Sequence, residues 1–267
     1  MNPRGVSSVL RINGCIPPLD HPAPRREGYA QAYEHELMKQ AIKADSEKGY
    51  ELIFYGDSIT ETWTGTDMGR ECPRCAGVPE VLEKYFGMYD KGIYAVGGDQ
   101  VNHLMYRLQR RELLKRHPPK VSVLLIGTND LGAASCFPGG AAPIIRAANA
   151  TAQRIWEMLV YMRTNNPKTT IVLLAILPRG GQTDQTWWDW PNRFSRAIDI
   201  INSQLRQFAE SLDGVHYVDC SNPLLPGGRL DENLMPDALH PNAEGMDVFA
   251  ECFAEEVHRH MGPPSSL

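Results

Sequence analysis

Five short runs of the chain are apolar at nearly every position: ELIFYG (51–56), GIYAV (92–96), VSVLLIG (121–127), TIVLLAIL (170–177) and VHYVD (215–219). Runs of that length without polar alternation suit strands covered on both faces, as in a buried parallel sheet. Other stretches carry helical spacing. Over 28–48, Tyr29, Ala32, Tyr33, Leu37 and Ile42 fall at mixed three- and four-residue steps, and similar patterns occupy 79–86, 101–115, 143–164, 193–212 and 242–260. The alternation of strand and helix predicts a doubly wound α/β domain on a five-stranded parallel sheet. Residues 1–47 are expected to form an N-terminal extension and a helix packed on the body. Residues 48–262 form the main domain and 263–267 a tail. The stretch IPPLDHPAPRR is too rich in proline for a regular helix and should run extended over the body.

Composition then excludes several classes. The 267 residues are enough for one full core, and a net charge of -5 offers no basic field for nucleic acid. No apolar run is long enough to span a bilayer, and MNPRGVSSVLRING lacks the apolar centre of a signal peptide. The six cysteines, Cys15, Cys72, Cys75, Cys136, Cys220 and Cys252, are scattered over a chain too large to need stapling. They are expected to be free thiols, which would place the protein in the cytoplasm. Cys72-Pro73-Arg74-Cys75 is a lone CxxC without a second pair to complete a zinc site, so structural thiols or a local disulfide are its expected states. No His/Cys/carboxylate group shows ligand spacing, and neither metal nor cofactor is expected.

Ligands of doubly wound sheets sit beyond the carboxyl ends of the strands. Three short motifs fall there: Gly56-Asp57-Ser58-Ile59-Thr60, Gly97-Gly98-Asp99 and Gly127-Thr128-Asn129-Asp130. A fourth, Asp237-Ala238-Leu239-His240-Pro241, leads into the last helical stretch. A serine hydroxyl needs a general base, histidine titrates near ~6.5 and suits that task, and a carboxylate fixes its tautomer. Ser58, His240 and Asp237 supply these parts. Asp237 and His240 are three residues apart, so one turn presents both to the same side. The backbone N–H groups of Ser58 and Gly98 and the side-chain amide of Asn129 are candidate donors to an oxyanion. Asp57 is expected to brace its loop and Asp99 to cap a helix. His216 is read as a packed strand residue, and His103, His117, His258 and His260 as helix-surface residues.

FYGDSIT, VGGDQ, GTND and DALHP resemble, in order, the four blocks of the SGNH (GDSL-like) hydrolases. The segments GGDQVNHLMYRLQRREL, PPKVSVLLIGTND and LLAILPRGGQ resemble the catalytic subunits of intracellular platelet-activating factor acetylhydrolase over roughly residues 45–260. The resemblance implies a three-layer α/β/α flavodoxin-like fold and a serine esterase working through an acyl-enzyme on Ser58. It also implies a short-acyl pocket closed by Ile59, Thr128 and Leu239. A small-molecule or lipid ester is the implied substrate, and a homodimer or a subunit of a protein complex the implied state. The alternative is an interaction subunit with little or no catalysis. The chain departs from that subfamily in the inserted segment TGTDMGRECPRCAGVPEV, in TWWDWPNRF (186–194) and in Asp130. The insertion and the tryptophan loop lie near the expected site. The ester could therefore be a phospholipid, a carbohydrate acetate or a thioester.

Overall fold

The computed structural model describes residues 18–26, 28–180 and 187–262. Most of the extension, the 263–267 tail and the start of the tryptophan loop lie outside the described residues. Helix α1 (Gly28–Ser46) precedes strand β1 (Leu52–Gly56) and the one-turn helix α2 (Ser58–Glu61). A small hairpin, β2 (Thr66–Asp67) and β3 (Arg70–Glu71), leads to α3 (Val78–Phe86), β4 (Lys91–Ala95) and α4 (Val101–Arg107). Then come β5 (Val121–Leu125), α5 (Thr128–Ala134), α6 (Ala141–Asn165), β6 (Thr170–Leu174), α7 (Ser195–Ser211), β7 (Val215–Val218) and α8 (Ala243–Met261).

The main sheet is five-stranded and parallel, in the order β4-β1-β5-β6-β7. The expected strands are therefore all present. Their apolar character on both faces has a direct cause. Ile53, Tyr55, Leu124, Ile171 and Leu173 face a core built with α1, α4, α6 and α7. Leu52, Phe54, Val123, Val172 and Leu174 face a second core built with α3 and α8. The order reverses between β1 and β5, so a crevice opens at their carboxyl ends, where such sheets hold ligands.

Three expectations need correction. The helix over 101–115 stops at Arg107, and a wide turn follows in which Arg111 takes a φ of 114°. The apolar rhythm continued because Leu113 and Leu114 are buried as extended chain. His103 is a buried capping residue rather than a surface one: its ring accepts from the Gln100 N–H at 3.0 Å. The cysteines are not the free thiols expected in general, and the CxxC takes the local disulfide that was one of its two expected states. Cys72 pairs with Cys75 and Cys220 with Cys252, and among the described residues no cysteine is free. The cytoplasmic expectation rests on free thiols and loses that support. No described helix is long and apolar enough to cross a membrane.

Candidate active site

Ser58 is the first residue of α2, directly beyond β1. Asp57 caps that helix by accepting the Ile59 N–H at 3.0 Å, so its carboxyl is turned into the protein while the Ser58 hydroxyl faces His240. Burial pushes the Asp57 carboxyl up to about 7. The turn is tight: a Cβ on Gly56 would lie 2.6 Å from the Leu125 carbonyl. The loop before α8 brings up the other two groups. Ala238 sits in the left-handed region at φ 55°, which folds the Asp237 carboxylate back over its own loop. Its Oδ1 accepts from the N–H groups of Leu239 at 3.0 Å and His240 at 2.7 Å, and its Oδ2 lies 2.6 Å from His240 Nδ1. The other ring nitrogen, Nε2, lies 2.9 Å from Ser58 Oγ. Burial alone would raise the Asp237 pKa, but the hydrogen bonds and charge of His240 bring it down to about 2. The carboxylate thus stays ionised and can hold an imidazolium.

The second and third motifs meet the first at the switch point. Gly98 has a φ of +78°, and a Cβ there would crowd the Arg25 guanidinium at 3.0 Å. Asn129 donates one side-chain N–H to the Asp99 carbonyl at 3.0 Å. That bond locks the amide beside the glycine turn and leaves a second N–H for a ligand. Of the expected pocket residues, Ile59 and Thr128 are buried, with the Thr128 hydroxyl accepting from Arg179. Leu239 remains partly open to solvent. In the tryptophan loop, Trp188 and Trp190 pack on the body, whereas Trp187 is exposed.

A buried charge network under these turns escaped the sequence reading. Asp99 is no helix cap: it is fully buried and accepts from Arg107 at 2.8 and 3.0 Å and from Arg25 at 3.2 Å. Gln100 caps α4 instead. Arg107 also binds Glu112 and the carbonyls of Gly56 and Tyr94, so one guanidinium ties together the ends of β1 and β4. Burial pushes the Glu112 carboxyl up to about 7 despite that partner. Arg25, from the extension, donates to the Gly97 carbonyl at 2.8 Å. Glu61 accepts from the N–H groups of Gly97 at 2.6 Å and Gly69 at 2.8 Å, joining the glycine turn to the inserted hairpin. A Cβ on Gly97 would lie 2.3 Å from the Asp67 carboxylate and 3.2 Å from Met68. The insertion therefore borders the site, as expected from its position. Arg179 is buried against Phe194, donates to the Thr128 carbonyl at 2.7 Å, and burial pulls it down to about 10. Four of these residues, Asp99, Arg107, Glu112 and Arg179, lie in the segments that carried the resemblance, which was the available signal.

A hydroxyl, an imidazole and a carboxylate in line at the switch point of this sheet define the class as SGNH-type hydrolases. The chain belongs to the GDSL-like lipase/acylhydrolase family, whose model matches residues 54–248. It is similar to platelet-activating factor acetylhydrolase IB subunit alpha1 of Bos taurus, with 23% identity over 86% of this chain and 84% of that one. It is also similar to the IB subunit beta homolog of Drosophila melanogaster, 26% identical over 78% of this chain and 75% of the relative. Among solved structures, a GDSL-like lipase from Bacteroides thetaiotaomicron superposes with a TM-score of 0.57 at 17% identity, covering 87% of this chain and 99% of that one. An acetylxylan esterase from Geobacillus stearothermophilus gives 0.56 at 18% identity, over 80% and 95%.

Proposed function

We propose that the protein is a metal-independent serine esterase that hydrolyses carboxylic esters of short acyl groups, acetyl above all, through an acyl-enzyme. The observation that carries this reading is the unbroken run of contacts from Ser58 Oγ through the His240 ring to Asp237, at 2.9 and 2.6 Å. Ser58 attacks the ester carbonyl while His240 Nε2 takes its proton. The N–H groups of Ser58 and Gly98 and the free amide hydrogen of Asn129 receive the oxyanion. Collapse expels the alcohol, which takes the proton from His240, and leaves the acyl group on Ser58. Water, deprotonated by the same ring, then releases the acid and restores the hydroxyl. Asp237 stabilises the imidazolium throughout.

The acetyl preference is supported by the acetylhydrolase and acetylxylan esterase names among its relatives and neighbours, and by the closed environment of Ile59 and Thr128. Leu239 and the Met68 hairpin would bound the acyl end. A lipid or carbohydrate ester fits this chemistry equally, and residues 48–262 would be the catalytic unit. Paired cysteines suit an oxidising compartment better than the cytoplasm. The second reading, a subunit that serves as a binding partner, draws on the word subunit in the relatives' names. A fluorophosphonate probe separates the two. Labelling of the wild type that disappears in Ser58→Ala supports the esterase, and an unlabelled wild type supports the binding role.

A further inference from the structure

No cluster with ligand spacing shows in the sequence, yet the fold assembles one. His216, the second residue of β7, turns toward α8, as do its parity mates in that core, Val172 and Leu174 on β6 and Val218 on β7. There it meets Glu256 and His260, which are one helical turn apart on α8. The Glu256 Oε1 atom lies 3.3 Å from His216 Nδ1 and 2.8 Å from His260 Nε2. All three candidate ligand atoms lie within 4.8 Å of one another. A tetrahedral zinc ion with bonds of about 2.0–2.1 Å holds its ligand atoms about 3.3 Å apart. Two of the three separations, at 3.3 and 2.8 Å, are near that value, the third is within 4.8 Å, and the His216 side chain, 39% exposed, has room to adjust.

We propose that His216, Glu256 and His260 form a binding site for zinc or a similar first-row divalent cation, with water completing the coordination. Two imidazoles and one carboxylate are a donor set that such cations favour. Both rings are directed at one carboxylate oxygen, and their centroids are 4.1 Å apart. Arg259 pairs with the other Glu256 oxygen, fixing the carboxylate while leaving Oε1 to the rings. Thiolates do not compete, because no described cysteine is free.

The site is separate from Ser58. Glu256 and His260 lie about 20 Å or more along α8 from its start, next to the His240 loop. The bound ion would clamp the edge strand β7 to α8, one turn beyond the Cys220–Cys252 bond that links the same two regions. The test is titration of chelator-stripped full-length protein with zinc chloride, followed by calorimetry and by thermal unfolding. One equivalent should bind to the wild type, and a hundredfold excess over Kd should raise Tm by about 5 °C or more. His216→Ala and His260→Gln, each checked for native circular dichroism, should both weaken binding by about 100-fold. If one of them fails to fold, the other, together with the spectrum of cobalt bound in place of zinc, decides the ligand set. Absence of zinc binding to the wild type, or unchanged affinity in the folded variants, overturns the proposal.

Discussion

Asp237 receives three hydrogen bonds within its own loop, and this concentration sets how the site responds to pH. Its pKa is lowered to about 2 in the folded protein, below the ordinary carboxylate value of 3.8. The sign follows from linkage: the stabilisation is fully present above the unfolded pKa and is lost as pH falls through about 2. Asp237→Asn should therefore be less stable than wild type at pH 6, and the gap should narrow between pH 4 and pH 2 in urea unfolding. A constant gap would mean that Asp237 acts through packing alone. Asn129 gives a second prediction at this scale. In the proposed reaction it meets charge that exists only after attack, so Asn129→Ala should lower kcat by roughly 100-fold while KM changes little. An effect on KM alone would make it a substrate-positioning residue. Ser58, Gly98, Asn129, Asp237 and His240 were legible in the sequence because each sits in a short motif at a strand or loop end. The pairings of Arg25, Asp99, Arg107 and Glu112 were not legible. Arg25 and Asp99 are 74 residues apart and leave no periodic trace, and a lone charged residue in an apolar stretch, such as Arg107, reads as a surface position.

At the scale of elements, the strands could be read because both faces of each are covered, which demands apolar residues throughout. The break in the 101–115 stretch was hidden by Leu113 and Leu114, which keep the apolar rhythm without being helical. The β2–β3 hairpin was equally hidden, since strands of two residues carry no pattern. Arg107 is what makes the broken helix sensible: Glu112 must turn inward to reach it. Removing that guanidinium would leave two carboxylates buried with their main cation gone. Arg107→Met should therefore cost about 3–5 kcal/mol in urea unfolding. A loss below about 1 kcal/mol would show that the pocket holds the two carboxyl groups without the guanidinium. The extension bears on the same turn from the other side. Arg25→Ala should slow the chemical step roughly 10-fold or more by loosening Gly97 and Gly98, with the main sheet intact.

For the whole molecule, the weak boundary is the edge formed by β7, the last strand of the sheet and its shortest. Among the described residues only β6 pairs with it, and α8 must cover it after a long irregular stretch that also carries Asp237 and His240. The Cys220–Cys252 bond closes this stretch, joining residues 32 apart from the end of β7 to the middle of α8. A loop of that length constrains the unfolded chain by about 3–4 kcal/mol in the chain-entropy view. Cys72–Cys75 joins residues only three apart and should contribute less. At about 2–4 °C per kcal/mol for a domain near this size, the double variant Cys220→Ser/Cys252→Ser should melt about 10 °C lower. The corresponding Cys72→Ser/Cys75→Ser variant should fall by a smaller amount. On the proposed function, the first variant should also lose ester hydrolysis on warming before its main unfolding transition, because the Asp237–His240 loop hangs on the segment that this bond ties down. Scanning calorimetry in parallel with activity at each temperature measures both. Equal melting temperatures for the two variants, or activity that persists to the main transition, would show that the apolar packing of α8 on the sheet holds the loop without help from the bond.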